Sequence, residues 1–421
     1  MRYIGKILFF DKKMIENFAS MSFLKLSNLV LGWLLYPYII RLIGTDNFGL
    51  LIFAQSLMLY LVVFTNYGFS LSAPREIARL YKTKPKECIQ KVSDFFYTQI
   101  FLGLVSFFLL FLLVQAIPFL GNNSRLIYGS FAIVLGQILL PVWFFQGIEK
   151  MPYLVYFNLF AKILLIVGIV LFVHQKSDYI FINLFWGLGS MIAGLGAWGV
   201  MIVRFKVRFY KPSYQSICHI LRQDFHLFVA NITNIITFNS TVIIMGLFAT
   251  NETLGLYSIA DRIFMIARQA VVVIHQSIYP RVAQLANESL WELKHFFKRF
   301  LQLILVFVVP ATGILYFFAP EVVYLFAGKV LPEVSFFVQI LSFTPLLAVA
   351  NLPACQVLLV TNKEFTYTVL SMIGAVFHII LSLILIYNFA GYGAVLGLFC
   401  TELFLWLIFN FKLYQLNSKL D

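Results

Sequence analysis

Long apolar runs separated by short polar stretches follow one another along almost the whole chain. An α-helix needs about 20 such residues to cross the hydrocarbon core of a bilayer. The pattern therefore predicts twelve membrane-spanning helices, with approximate ranges 18–40, 48–71, 95–117, 126–145, 153–173, 179–203, 225–248, 254–279, 300–318, 334–360, 365–387 and 394–411. Five prolines fall inside these ranges and are expected to bend the helices: Pro37, Pro141, Pro310, Pro345 and Pro353.

One stretch, 254–281, contains the eighth predicted span but also carries charged side chains. Its polar residues recur at intervals of seven in two series: Asp261, Arg268 and His275, and next to them Arg262, Gln269 and Gln276. Seven residues are about two helical turns, so each series forms a stripe along one side. Because charges are costly in hydrocarbon, the stripes are predicted to line a water-filled cavity within a bundle. The alternative is an internal ion pair between Asp261 and a neighbouring arginine, which would hold helices together.

The two halves of the chain match each other when one is shifted by 206 residues. Without a gap, the shift superposes Asn28 on Asn234, Gly49 on Gly255, Leu50 on Leu256, Ala54 on Ala260, Pro74 on Pro280 and Arg75 on Arg281. Six spans separate the copies, an even number, so both keep the same orientation in the membrane. We predict an all-α polytopic membrane protein whose twelve helices form two six-helix bundles around a central cavity. The predicted N-terminal lobe is 1–203, the cytoplasmic linker 204–224 and the C-terminal lobe 225–421.

Composition agrees with a membrane protein and argues against several other classes. Hydrophobic residues make up 61% of the 421 residues, charged residues 12%, and the mean hydropathy is +0.89. A soluble domain would carry about 25% charged residues. No loop between spans is long enough for a soluble domain, and no phosphate-binding glycine loop, zinc-protease motif or nucleophile elbow occurs, so no enzyme activity is expected. The four cysteines lack ligand spacing and predict neither a disulfide framework nor a metal site.

The net charge of +13 would suggest nucleic-acid binding in a soluble chain, but here the basic residues indicate orientation. With the N-terminus in the cytoplasm, 23 of the 31 Lys and Arg residues fall on the cytoplasmic side and 4 on the other. The positive-inside rule therefore predicts that both termini are cytoplasmic, and no nucleic-acid partner is expected. The remaining four basic residues fall within predicted spans: Lys25, Lys162, Arg262 and Arg268.

These four cations are predicted to line the cavity together with neutral polar side chains. The candidate substrate-binding residues are Lys25, Lys162, Arg262, Arg268, Asn231, Asn234 and Gln269. Arginine binds phosphate oxygens through two parallel hydrogen bonds, so the set indicates an amphiphile with an anionic head. The amides of the seventh span suit sugar hydroxyls, but hydrogen bonds between helices explain them equally well. Asp261 and Glu402 are the candidate carriers of H⁺ or another cation, with His275 and His378 behind them.

Three segments resemble signature segments of the polysaccharide-transporter family: GTDNFGLLIFAQSL at 44–57, NYGFSLSAPREIA at 66–78 and PVWFFQGIEKM at 141–151. Within that family they are most similar to the Wzx-type flippases for lipid-linked O-antigen repeat units, of the multidrug/oligosaccharidyl-lipid/polysaccharide exporter superfamily. The resemblance implies alternating access that moves an undecaprenyl-pyrophosphate-linked oligosaccharide from the cytoplasmic to the periplasmic leaflet of the bacterial inner membrane.

The resemblance also implies partners and a gate. The expected partners are the lipid-linked oligosaccharide, membrane lipids, an O-antigen polymerase and a chain-length regulator. Arg75 and its repeat equivalent Arg281 are candidates for a cytoplasmic gate, with a structural ion pair between Arg75 and Glu76 as the alternative.

Other cargoes stay open at this point. A cation-coupled exporter of drugs or metabolites from the same superfamily would favour an anionic cavity, whereas the spans hold four basic residues against Asp261 and Glu402. Within the family, the cargo is alternatively a capsule, exopolysaccharide or other lipid-linked glycan. No cofactor is expected. Transport is driven either by coupling to H⁺ or another cation, or by a polymerase that consumes the flipped unit.

Overall fold

The computed structural model describes residues 12–361 and 363–417 and most of their side chains, those of Lys25 and Gln276 being among the exceptions. These ranges are almost entirely helical and contain no β-strand. The helices of the first half are α1 (Lys12–Ile43), α2 (Thr45–Asn66), α3 (Phe69–Tyr81), α4 (Pro85–Ala116), α5 (Pro118–Asn122), α6 (Ser124–Ser130), α7 (Ala132–Leu139), α8 (Val142–Gly147), α9 (Met151–Phe172) and α10 (Ile180–Val203), with a 3₁₀ helix at Lys176–Tyr179. Those of the second half are α11 (Tyr214–Phe248), α12 (Asn251–Glu288), α13 (Leu290–Phe317), α14 (Ala319–Ala327), α15 (Pro332–Leu341), α16 (Thr344–Val360) and α17 (Glu364–Asn417).

Nine helical segments within the described ranges are long and apolar enough to cross a membrane. One of them, Glu364–Gln415, contains the last two predicted spans, which join at the non-helical Ala390. The charged α12 and the partly described α1 are not among the nine, but they contain the eighth and first predicted spans. Large apolar side chains are exposed on these helices, for example Leu303 and Phe307 of α13. The all-α, multi-pass membrane architecture predicted from the sequence is confirmed.

The chain turns sharply between α2 and α3, where Tyr67 has φ 45° and Gly68 has φ 100°. The second predicted span was therefore wrong at its end, because the helix stops at Asn66 rather than at residue 71. Gly68 permits the positive φ, and a Cβ placed on it would lie 2.7 Å from the Cβ of Leu227. The next residues form α3 because apolar side chains recur at helical spacing and are buried: Phe69, Ala73, Ile77 and Leu80.

The five prolines act in different ways. Three of them lie inside α1, α13 and α16: Pro37, Pro310 and Pro353. Pro141 lies between α7 and α8, so the fourth predicted span is interrupted rather than bent. Pro345 lies in the first turn of α16, where a missing N–H costs no helical hydrogen bond. The prediction that Pro141 and Pro345 bend continuous helices was therefore wrong, and each of these spans is built from separate helices.

Unit 1 is one of two compact units in the chain and comprises Met1–Gly32 and Leu57–Ile232. Its core is formed by buried rings of α3, α4, α8 and α10, the largest being Phe69, Phe95, Trp143, Phe144, Phe145 and Trp198. A chain of polar groups crosses this core. Trp143 Nε1 donates to Gln99 Oε1 at 3.1 Å, and Gln99 Nε2 donates to Asn66 Oδ1 at 3.0 Å. These bonds satisfy groups that would be costly to bury alone.

Unit 2 comprises Trp33–Ser56 and Thr233–Asp421. Within it, α12 packs against α13, α15, α16 and α17. α2 crosses α12 at two glycines, since a Cβ on Gly49 would lie 2.6 Å from the backbone nitrogen of Gly255. A Cβ on Gly255 would in turn collide with the carbonyl oxygen of Thr45. Only glycine permits so close an approach of two helices, and these two glycines are equivalent positions in the predicted repeat.

The predicted lobe boundaries, at residues 203 and 225, differ from the boundaries of these compact units. The segment Trp33–Ser56 groups with the second half of the chain. In addition, α11 begins at Tyr214, so part of the predicted linker 204–224 is helical. The division of the chain into lobes 1–203 and 225–421 stays a prediction.

Candidate functional site

The two polar stripes lie on one uninterrupted helix, α12. Thr250 caps its first turn by accepting a hydrogen bond from the backbone N–H of Thr253 at 3.2 Å. Because the helix has no break between Asp261 and His275, the seven-residue spacing places the polar side chains along one side, as the sequence indicated. The side chains have different neighbours along that side, however. The polar side of α12, called the stripe below, therefore has two parts.

The first part of the stripe is occupied by Asp261 and Arg262. Asp261 is buried, and its Oδ2 lies 4.0 Å from Nε of Arg262. The guanidinium of Arg262 also lies 5.4 Å from the centre of the Tyr36 ring, a cation–π distance. The Oδ1 atom of Asp261 has no hydrogen-bond partner among the described residues. This pair joins adjacent residues of one helix and does not hold helices together, so the roles of Asp261 and Arg262 stay predictions.

The second part of the stripe borders a cavity of about 260 Å³ in unit 2. Arg268 and His275 of α12 form one wall, and residues of α11, α16 and α17 form the others. The polar side chains that line it are Asn234, Thr237, Arg268, His275, Asn351, Tyr367, Ser371 and Glu402. Phe238 and Phe409 add aromatic surface. A cavity with both charged and aromatic walls, inside a bundle of apolar helices, is a site for a polar ligand.

Arg268 and Glu402 bring opposite charges to this cavity. The guanidinium of Arg268 stacks over the ring of Phe238, which holds its position by a cation–π contact. Glu402 is 6% exposed. Among the side chains that the structure describes, neither residue makes a hydrogen bond, and the two do not approach within 4.0 Å as an ion pair. Both charged groups are therefore available to a ligand in the cavity.

The wall formed by α16 carries two amides with different surroundings. Gln356 is fully buried, and its Nε2 donates to the carbonyl oxygen of His275 at 2.9 Å and lies 3.3 Å from His275 Nδ1. These contacts fix His275 at the edge of the cavity. Asn351 lines the cavity and is 8% exposed, and its Oδ1 has no hydrogen-bond partner within the described part of the chain. A buried acceptor without a partner is unfavourable, so this oxygen points to a missing donor.

The structure brings together only part of the predicted binding set. Arg268 and Asn234 line the cavity, as do the predicted ion carriers Glu402 and His275. Gln269 lies half-buried on α12, whereas Lys162 on α9 and Asn231 on α11 belong to unit 1. Lys25 lies in α1, but its side chain is outside the described residues. A cavity-lining role for the other predicted residues stays a prediction.

The predicted gate residues Arg75 and Arg281 are both exposed. Glu76 forms an ion pair with Arg79 at 3.2 Å, so the structure does not pair it with Arg75 on the same helix. Arg281 donates to Gln284 Oε1, one turn further along α12, at 2.8 Å. The gate role of Arg75 and Arg281 stays a prediction.

A buried histidine, which the sequence places behind the candidate ion carriers, forms a second polar group. His378 is 0% exposed, its Nε2 lies 3.0 Å from the hydroxyl of Thr241, and its Nδ1 lies 2.8 Å from the hydroxyl of Thr401. Thr401 donates its own proton to the carbonyl oxygen of Gly397 at 2.7 Å, so Nδ1 of His378 is the donor in the bond to Thr401. These bonds connect α11 to both halves of α17. The polar residues of the seventh span therefore include at least one helix-joining contact, the alternative considered above.

Asn351 and Tyr367 are among the cavity residues that sequence reasoning missed. Asn351 is an amide within an apolar span, and a polar residue inside a membrane helix is a candidate for function. Tyr367 gives no comparable signal, because tyrosine is ordinary near the end of a span. Among the described residues, no group of three or more His, Cys, Asp and Glu side chains is arranged to hold a metal ion.

A charged cavity lined by the spans of a helical multi-pass protein is typical of membrane transporters. The chain belongs to the polysaccharide biosynthesis protein family, whose sequence model matches residues 14–286. Two relatives are each named "Putative O-antigen transporter". That of Escherichia coli (strain K12) is 26% identical over 394 residues, covering 92% of this chain and 93% of the relative. That of Shigella dysenteriae is 23% identical over 406 residues, covering 92% of this chain and 97% of the relative.

Solved structures share the fold at low sequence identity. The lipid II flippase MurJ, in an inward closed conformation, superposes with a TM-score of 0.73 at 14% identity and covers 95% of this chain and 87% of its own. An inward-facing multidrug resistance transporter of the MATE family, from the MOP superfamily, gives a TM-score of 0.71 at 12% identity. The match covers 94% of this chain and 99% of that transporter. These likenesses show that the chain shares the fold of these two structures.

Proposed function

We propose that this protein is a flippase for a lipid-linked glycan, and that its substrate is an undecaprenyl-pyrophosphate-linked O-antigen repeat unit. The observation that carries the proposal is Arg268, a cation without a hydrogen bond or ion pair among the described residues, in a cavity enclosed by membrane helices. The family and the names of the two relatives support a polysaccharide cargo. The chain is expected to be a transporter without enzyme activity or a cofactor.

The chemistry of Arg268 suits a pyrophosphate group. A guanidinium offers several N–H donors in a fixed fork and keeps its charge, and it binds phosphate oxygens in a bidentate manner. The apolar exposed helices allow the undecaprenyl chain to stay in the bilayer while the polar head enters the cavity. Alternating access then moves the head from the cytoplasmic to the periplasmic leaflet of the bacterial inner membrane. The distribution of basic residues among the loops supports an orientation with both termini on the cytoplasmic side.

A second candidate is a cation-coupled exporter of drugs or metabolites. The observation that favours it is Glu402, a buried carboxylate in the same cavity that would attract a cationic cargo. Arg268 opposes this function, because it would repel the same cargo. With one charge of each sign, the cavity suits a ligand that carries an anionic group and also several hydrogen-bond donors.

Deleting the gene in the bacterium that carries it tests the proposed function. We expect loss of surface polysaccharide on a gel and accumulation of an undecaprenyl-linked glycan in membrane extracts, because synthesis continues while export stops. A plasmid copy is expected to reverse both changes. Normal polysaccharide together with increased sensitivity to cationic drugs would contradict the proposal and support the exporter. An otherwise identical strain without its O-antigen polymerase is the control for effects of lost polymer alone.

A further inference from the structure

The cavity contains hydrogen-bond acceptors that a pyrophosphate cannot use. Asn351 Oδ1 is buried without a partner, and the carboxylate of Glu402 accepts no hydrogen bond within the described residues. Phosphate oxygens are acceptors too, so they would be repelled by both groups rather than bound. This side of the cavity therefore requires a ligand part that donates hydrogen bonds.

We propose that Asn351 and Glu402 form a subsite for one sugar ring of the transported glycan, next to the Arg268 subsite for phosphate. The inference rests on the proposed function and extends it from the charged head to the sugar. Sugar hydroxyls donate as well as accept, so they satisfy Asn351 Oδ1 and Glu402 with charge-assisted bonds to the carboxylate. Tyr367 and Phe409 line the same cavity and supply aromatic surface against the C–H face of a ring.

The size of the cavity agrees with one sugar ring together with the phosphate to which it is joined. Its volume is about 260 Å³, whereas pockets for drug-sized ligands run from roughly 300 to 1,000 Å³. A water molecule takes about 30 Å³, so the cavity is far larger than one ordered water or a bare ion needs. Because Arg268 shares the cavity, the bound ring is the sugar joined directly to the phosphate.

A competition experiment between two lipids tests whether this subsite binds a sugar ring. The purified protein in lipid nanodiscs is mixed with equal amounts of undecaprenyl pyrophosphate and undecaprenyl pyrophosphate carrying one hexose, and the bound ratio is read by native mass spectrometry. The unmodified protein is expected to prefer the hexose-bearing lipid by about tenfold or more, since a site built to bind hydroxyls discriminates against ligands that lack them. Asn351→Leu, which keeps the approximate size and removes the acceptor, is expected to bring the ratio close to one.

A matched control is Asn410→Leu, which makes the same substitution elsewhere in unit 2. Asn410 donates to the carbonyl oxygen of Trp406 on its own helix and does not line the cavity. This variant is expected to keep the preference. Should Asn351→Leu fail to accumulate, Glu402→Gln serves as the second variant, because it removes the charge of the other acceptor at nearly constant volume.

The outcomes separate the subsite from the function it rests on. Equal binding of both lipids by the unmodified protein, or an unchanged preference in Asn351→Leu and Glu402→Gln, overturns the sugar subsite and leaves the flippase function standing. Failure to bind either lipid, with binding of a cationic dye instead, overturns the proposed function and the subsite together. A preference that is lost in the cavity variants and kept in Asn410→Leu supports the subsite.

Discussion

Replacing Arg268 with alanine is expected to abolish surface polysaccharide, while Arg268→Lys restores part of it. Truncating one partner of a desolvated charge pair costs about 2–5 kcal/mol of binding, which corresponds to a loss of affinity of roughly thirtyfold or more. Lysine keeps the charge but lacks the planar fork that binds two phosphate oxygens at once. The measurement is complementation of a deletion strain, with polymer read on a gel and membrane abundance read by immunoblot.

Arg299→Ala is the matched control for this variant. Arg299 is an exposed arginine on α13 and lies outside the cavity, so its loss is expected to leave polymer unchanged. Normal polymer in Arg268→Ala, at normal abundance, would show that the cavity cation does not serve transport. The stripe on α12 would then be explained by packing between helices throughout.

Replacing Gly255 with alanine is expected to destabilise the folded protein more than the same substitution at Gly199 or Gly313. The added Cβ would collide with the carbonyl oxygen of Thr45, and backbone atoms of two crossing helices cannot move aside as a flexible side chain can. Overpacking of this kind costs typically about 1–3 kcal/mol and occasionally more. Gly49→Ala is expected to act in the same direction, because its Cβ would lie 2.6 Å from the nitrogen of Gly255. The measurement is the thermal unfolding midpoint of purified protein in detergent.

Gly199→Ala and Gly313→Ala provide the matched controls. Each lies within a helix, and a Cβ placed on either has no atom within 4 Å. Alanine is the better helix former, so neither control is expected to lower the unfolding midpoint. If Gly255→Ala unfolds at the same temperature as these controls, α2 and α12 do not cross as closely as described.

The fold was predictable from hydropathy because the spans are long and the bilayer sets their length. The helix ends were less predictable, as α2 and α3 illustrate. The turn at Tyr67 and Gly68 follows the polar residues Thr65 and Asn66, but apolar residues resume after it, so hydropathy alone extended the span past it. The helical spacing of Phe69, Ala73 and Ile77 was present in the sequence and could have indicated α3 as a separate amphipathic helix.

The site was predictable only in part. The seven-residue spacing placed Arg268 and His275 on one side of α12, but spacing within one helix carries no information on what other helices bring to that side. Asp261 therefore looked equivalent to Arg268, although the structure places it beside Arg262 and away from the cavity lining. Asn351 entered the cavity from α16, which only the packing of α12 against α16 could establish.

The central claim is that the protein moves a lipid-linked glycan across a bilayer and that Arg268 serves this movement. Purified protein is reconstituted into vesicles containing the undecaprenyl-linked glycan that accumulates in the deletion strain, and a membrane-impermeant glycosidase reports the glycan that reaches the outer leaflet. With the unmodified protein, we expect the inner-leaflet glycan to become accessible, while vesicles with Arg268→Ala behave like protein-free vesicles. Equal accessibility in protein-free vesicles and in vesicles with the unmodified protein would contradict the claim.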